Sequence, residues 1–327
     1  MKKIMKKIIV LILIVVNIVA CGQEKKRDMK TSQDIYLLTK EIKKHEEEPM
    51  YKMILSSSEC SFMILVNDIP LYKFFGRSGG VGATSIPINW NIEKSGKQKI
   101  TVKMYPKYSE TETPNQTLGL NAGVKFSIEK EIDGEDKTIL EFKTPFKDFD
   151  GKGDGGFLYP NKTYYEESID VELKVPYELS VLDNAEVLFT TDSEELKQLG
   201  KEVLAKYNEI RNIYMTGTKN ELANLNYNKE KRLAQQMYLN EAEVKDGWDN
   251  DYQFRTDANL EFFDLKPIEK YEMKFYAQGK IISLEKINNK KSALWGGFKR
   301  KDKEVVTTTY ISVYLYRPKG SNKLQAY

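Results

Sequence analysis

The chain is 327 residues long and carries 51 Lys and Arg against 48 Asp and Glu, with four of the lysines inside the first seven positions. With those four set aside, 47 basic residues face 48 acidic ones, so the body has no net basic footprint of the kind that nucleic acid requires. Two cysteines, Cys21 and Cys60, and one histidine, His45, rule out a multi-disulfide framework and a cysteine-rich zinc site, and they leave a single histidine in a charge run for any His-dependent triad.

Lys2, Lys3, Lys6 and Lys7 open the chain with no acid among them. Residues 8–16 are an unbroken apolar run, Asn17 interrupts it, and Ile18-Val19-Ala20-Cys21 closes the segment. A basic start, a short apolar core and a small residue before the cut are the parts of a secretory signal. The core is shorter than the roughly 20 apolar residues that a spanning helix needs. The closing tetrapeptide resembles the lipobox of bacterial lipoproteins. That resemblance implies cleavage before Cys21, a diacylglyceryl thioether on its sulfur and an acylated amino group. The lipid is then the membrane partner, at about 0.8 kcal/mol per buried methylene. Gly22 stands where some lipoproteins carry the aspartate that retains them in the inner membrane, which implies the outer membrane, the periplasm or the cell surface. With the Cys21 thiol consumed, no intrachain disulfide forms, and stability must come from apolar burial.

Residues 21–50 read as a tether behind the signal of residues 1–20. Positions 23–30 are charged and lack apolar spacing, as a solvated leash does. Ser32 is the expected cap of a short helix carrying Ile35, Leu38 and Ile42 on one face, and Pro49 is its stop. His45 falls in the charge run before that proline and is expected in solvent.

Residues 51–190 read as an antiparallel β-sandwich. Cys60 opens an apolar run and is expected as a small core residue. The run over 62–66 ends at Asn67-Asp68, a tight-turn pair leading into a second run over 69–75. Ile100, Val102 and Met104 alternate with polar neighbours, as do Val124, Phe126 and Ile128. Asp133-Gly134 turns the chain toward 139–142, and Ile169, Val171, Leu173 and Val175 alternate again. Period-two patterning puts one face in a core and the other in water, and several short strands of this kind predict a sandwich. Tyrosines such as Tyr164, Tyr165, Tyr310, Tyr314 and Tyr316 are expected as ordinary strand residues.

The segment Asp148-Phe149-Asp150-Gly151-Lys152-Gly153-Asp154 spaces carboxylates among glycines as a calcium loop does, making Asp148, Asp150 and Asp154 candidate ligands. Lys152 occupies a ligand position and Tyr159 replaces the bidentate glutamate, so a glycine-rich hairpin loop is the competing expectation.

From residue 191 to 327 the period changes. Thr191 with Glu194, and Thr218 with Glu221, spell two capping boxes. Leu196, Leu199, Val203, Tyr207, Ile210 and Tyr214 recur at helical spacing, and a second helix is expected over 219–239. A mixed stretch with Trp248 and Phe262-Phe263 follows. Strands are then expected over 271–276 and 280–284 as a hairpin, and over 294–298, 305–316 and 323–327. The predicted class is mainly β with an α+β C-terminal domain, in an order compatible with a nuclear-transport-factor-2-like cone-shaped sheet on helices.

No phosphate loop or dinucleotide fingerprint is present. The expectation is a membrane-anchored envelope lipoprotein with a non-catalytic binding or accessory role toward a protein, glycan or small ligand, and without nucleic acid or an obligatory cofactor. Two alternatives are a toxin-neutralising or assembly partner of the envelope, and a hydrolase built on paired carboxylates.

Overall fold

The computed structural model describes residues 29–76, 79–108, 113–132, 134–148, 151 and 155–327. Cys21 and the basic and apolar segment before it lie outside the described residues.

The leading segment is docked to the body. A five-residue helix, α1 (Ser32–Tyr36), is followed by a 3-10 turn, Leu38–Lys40. The cap is Thr31 rather than Ser32: the Thr31 hydroxyl accepts from the Asp34 amide while the Thr31 amide donates to the Asp34 carboxylate. Ser32 enters the first turn instead, buried, where its Oγ accepts from Trp248 Nε1 at 3.2 Å. Ile35 and Leu38 are fully buried against Leu222, Tyr227, Val244 and Trp248. Each such side chain contributes about 1.5–3 kcal/mol when removed from water.

The alternation over residues 51–190 becomes two four-stranded antiparallel sheets. One has the order β4 (Thr84–Pro87), β1 (Met50–Ser58), β6 (Gly123–Ile132), β7 (Glu135–Lys143). The other has the order β10 (Tyr165–Leu173), β5 (Gly96–Pro106), β2 (Cys60–Val66), β3 (Ile69–Phe74). Met53, Leu55, Val124, Phe126 and Ile128 of the first sheet face Phe62, Ile64, Ile100, Val102 and Met104 of the second in one core. Asn67 and Asp68 both take positive φ, the geometry of a two-residue hairpin turn between β2 and β3. Every residue of β2 is buried, because its outer face is covered as well. Cys60 sits in the core, its Sγ 3.6 Å from the Gly123 carbonyl, and burial pushes the thiol up to about 12. The glycine-rich segment forms a small hairpin, β8 (Phe146–Asp148) with β9 (Gly155–Phe157).

The C-terminal region has three helices where the spacing predicts two: α2 (Ser193–Thr216), α3 (Lys219–Gln236) and α4 (Glu241–Thr256). The cap of α2 is Asp192, not Thr191; its carboxylate accepts from the amides of Glu194 and Glu195 at 2.9 Å. Thr218 and Glu221 form the predicted capping box of α3, which ends at Gln236. Asn240 and Glu243 form a third box that starts α4. Two antiparallel sheets follow: β11 (Leu260–Leu265), β14 (Trp295–Arg300), β15 (Thr307–Tyr310), and β12 (Tyr271–Tyr276), β13 (Ile281–Lys286), β16 (Leu315–Tyr316), β17 (Gln325–Ala326). The class is mainly β with helices and antiparallel sheet at the C-terminus, as the patterning predicts. The C-terminal strands divide between two sheets instead of one cone. Leu199, Val203, Tyr207 and Ile210 of α2 pack on Leu265, Ile282, Leu284 and Leu315.

Met63, Leu65 and Ile69, on the outer face of the second sheet, form one further cluster with Ala185, Tyr276, Ile281, Tyr316 and Tyr327. Sandwich and C-terminal region therefore share a buried contact. Among the described residues no helix is long and apolar enough to cross a membrane.

Candidate functional site

Two places on the sandwich bring polar side chains together among the described residues, and they differ in access. The first is sealed inside the contact between the sandwich and the C-terminal region. Lys73, on β3, reaches Glu285, on β13, with Nζ 2.5 Å from Oε1. The same ammonium donates to the Tyr276 hydroxyl at 3.0 Å, and that hydroxyl donates to Glu285 Oε1 at 2.6 Å. The Glu285 side chain is 1% exposed and that of Lys73 14%. Burial lowers the Lys73 pKa against the opposing pull of Glu285. Burial likewise raises the Tyr276 hydroxyl, with the Glu285 charge acting in the same direction. Glu285 Oε2 is buried with no hydrogen-bond partner. Such a triad joins the sandwich to the C-terminal region, with Glu285 almost wholly buried in the contact.

The second place is open. A cleft of about 430 Å³ lies at the end of the sandwich, among Ser56–Ser58 of β1, residues 120–125, residues 143–146 and residues 155–157. Its size falls within the roughly 300–1,000 Å³ of small-molecule sites. The walls are tied together by backbone. The Thr144 amide donates to the Val124 carbonyl at 3.0 Å, Phe157 donates to Leu120 at 2.7 Å, and Leu158 donates to Pro145 at 3.0 Å. Ser58 Oγ donates to the Asn121 carbonyl at 2.7 Å. The glycines of β9 follow from this closeness: a Cβ on Gly155 would strike the Lys147 backbone, and one on Gly156 would strike Leu120. The lining is thus held in one shape before anything binds.

The apolar part of the lining comes from Ala122, Val124 and Phe157, which are buried, and from Leu120 and Phe146, which are exposed large side chains. Its polar part is hydroxyls and amines: Ser56, Ser57, Ser58, Thr144, Lys125 and Lys143. No carboxylate, imidazole or thiol is among these lining residues. A serine nucleophile would need an adjacent desolvated base. Lys125 and Lys143 are both exposed, and neither hydrogen-bonds Ser56.

The sequence-derived candidates fall as follows. Cys21 lies outside the described residues, as do Asp150 and Asp154 of the calcium segment. Asp148 ends β8 beside the cleft, and its Oδ1 accepts the Gly151 amide at 2.9 Å in the hairpin turn. Among the described residues no group of three metal-ligating side chains converges. His45 is partly covered rather than solvated, with its Nε2 buried and unpartnered. Tyr165, Tyr310 and Tyr316 lie in strands, Tyr165 and Tyr316 buried, whereas Tyr314 and the exposed Tyr164 fall just outside them. The cleft itself was illegible in the sequence because it draws on four separated segments, though Gly155-Gly156 beside Phe157 marked one wall.

No family model, curated protein or solved structure matches the chain.

Proposed function

We propose that the protein is a lipid-anchored lipoprotein of the bacterial envelope that binds a ligand in the cleft at the end of the sandwich and leaves it chemically unchanged. One observation carries the binding reading: a preshaped, water-accessible cleft whose lining holds apolar side chains, hydroxyls and exposed ammonium groups but no acid–base pair or activated nucleophile. The anchor reading rests on the lipobox-like Ile18-Val19-Ala20-Cys21 and assigns Cys21 the lipid.

Both halves are open to experiment. A Cys21→Ser chain should lose fatty-acid labelling and leave the membrane fraction; retention in the membrane with an uncut signal overturns the anchor. For the cleft, the otherwise complete Cys21→Ser chain is titrated with the neutral apolar fluorophore N-phenyl-1-naphthylamine, so that no lipid phase competes. Ser56→Trp fills the cleft from the outer face of β1, and Phe146→Ser removes its exposed apolar rim. Binding to the parent that weakens by roughly tenfold or more in both variants, with unchanged circular dichroism, supports the reading. No binding to the parent, or equal binding in all three, refutes it.

A further inference from the structure

The register of the first sheet aligns one residue from each of three strands at the cleft: Ser56 of β1 opposite Lys125 of β6, and Lys125 opposite Lys143 of β7. All three side chains line the cleft. The two lysines are direct cross-strand neighbours, a like-charge pairing that opposes sheet formation. Neither ammonium has a carboxylate partner among the described residues. Lys143 Nζ is instead held 4.0 Å over the ring of Phe146.

The far end of the same sheet handles its lysine differently. There Lys52 of β1 lies between Glu131 of β6 at 3.2 Å and Asp136 of β7 at 2.8 Å. One face of one sheet therefore carries a neutralised cation at one end and an unneutralised pair at the other, and the unneutralised pair coincides with the cleft. The nearest acid in register is Glu141, opposite Ser127 and one pleat repeat away from the lysine row.

The geometry points to an amphipathic anion as the ligand of the cleft: a small molecule whose apolar body packs on the exposed Leu120 and Phe146 while a carboxylate, sulfonate or phosphate sits between Lys125 and Lys143. This rests on the binding reading above and adds the ligand class to it. Lysine side chains pack their methylene stems on apolar surface while keeping the ammonium in water, as Lys143 does over Phe146. An anion between the two heads removes their mutual repulsion and gains two charge-assisted contacts, which a neutral ligand of the same shape does not.

Two fluorophores with the same ring framework separate charge from shape. 8-Anilinonaphthalene-1-sulfonate carries the sulfonate that N-phenyl-1-naphthylamine lacks. The sulfonate should bind the Cys21→Ser chain roughly tenfold tighter than the neutral probe at low salt, and added salt should erode that advantage. In a Lys125→Gln/Lys143→Gln double variant the ratio of the two affinities should fall to about one, whatever the affinity of the neutral probe itself becomes. Because both lysines are exposed, the double variant keeps the core, and removing like charges from adjacent strands does not weaken the sheet. If both probes bind and both weaken with Ser56→Trp, but the sulfonate has no advantage or keeps it in the double variant, the anion assignment is wrong and the cleft remains a binding site. If neither probe depends on Ser56, the binding reading itself is lost.

Discussion

Lys73 and Glu285 stand 212 positions apart in the chain and meet at 2.5 Å, out of water. Removing two charges from water costs several kcal/mol each, so the pair adds little net stability over an apolar replacement of similar volume. Its asymmetry is what matters. Lys73→Met leaves Glu285, already short of a partner on Oε2, as an uncompensated buried carboxylate. The expected loss is about 3–5 kcal/mol in urea unfolding. Lys73→Met with Glu285→Leu and Tyr276→Phe should recover most of it, a strongly non-additive set, because neither a charge nor the Tyr276 hydroxyl is then left stranded. A loss in the Lys73→Met/Glu285→Leu double variant equal to the sum of the losses in Lys73→Met and Glu285→Leu alone would mean that the pair is not coupled. At this scale little was legible in advance. Lys73 and Glu285 are the kind of residue that alternates along any half-exposed strand, and only the docking of the outer face of β2 and β3 converts them into a buried pair.

At the scale of elements, the leading segment behaves as part of the body. Besides the burial of Ile35 and Leu38, the Tyr36 hydroxyl donates to Asp249 of α4 at 2.6 Å, and Lys219 and Lys245 reach the same carboxylate at 2.5 and 2.6 Å. Hydrogen bonds from Lys219, Lys245 and Tyr36 hold Asp249 well below the usual carboxylate range. A depressed folded-state pKa means that the stabilisation is complete above the unfolded value, about 4, and is lost as pH falls from there toward the folded value. Amide exchange over residues 35–42 should therefore accelerate below about pH 4, before the sandwich core opens. Asp249→Asn should release the segment at neutral pH, by about 1–2 kcal/mol, and flatten that acid dependence. Exchange that follows global unfolding at every pH would contradict this. The strands over 62–75, 96–106, 123–132 and 165–173 were readable because alternation is a local property. β1 was missed because its apolar alternation at Tyr51, Met53 and Leu55 runs out into Ser56–Ser58. Helix α4 was missed although Asn240 with Glu243 spells its cap and Val244, Trp248 and Tyr252 share a face, because Gly247 and a run of acids dilute the pattern. The caps at Thr31 and Asp192 were misplaced by one residue, since neighbouring Thr, Ser and Asp are chemically equivalent choices until the backbone selects one.

For the whole molecule, the informative fact is that the second sheet of the sandwich is covered on both faces. Phe62 and Ile64 point into the sandwich core, while Met63 and Leu65 point into a cluster with Tyr276, Ile281, Tyr316 and Tyr327. Further polar ties cross the same contact. The Ala277 amide donates to the Asp68 carbonyl at 3.0 Å, and Glu186 pairs with Arg317 at 3.4 Å, binding residues 183–190 to the C-terminal strands. A sandwich cut off at residue 190 would present β2 and β3 to water with Met63, Leu65, Ile69 and Phe75 exposed, an apolar patch of the size that drives association. The intact chain should consequently unfold in a single transition seen alike by far-ultraviolet circular dichroism and, in a Trp90→Phe background, by fluorescence of Trp248 and Trp295, which lie in the C-terminal region. A fragment of residues 51–190 should aggregate, and substituting Met63 and Leu65 with serine and threonine in that fragment should restore its solubility. In the intact chain the same pair of substitutions should cost about 2–5 kcal/mol, because those positions are core there. Two resolved transitions in the intact chain would mean that the buried contact is too weak to couple the sandwich to the helices that hold the leading segment.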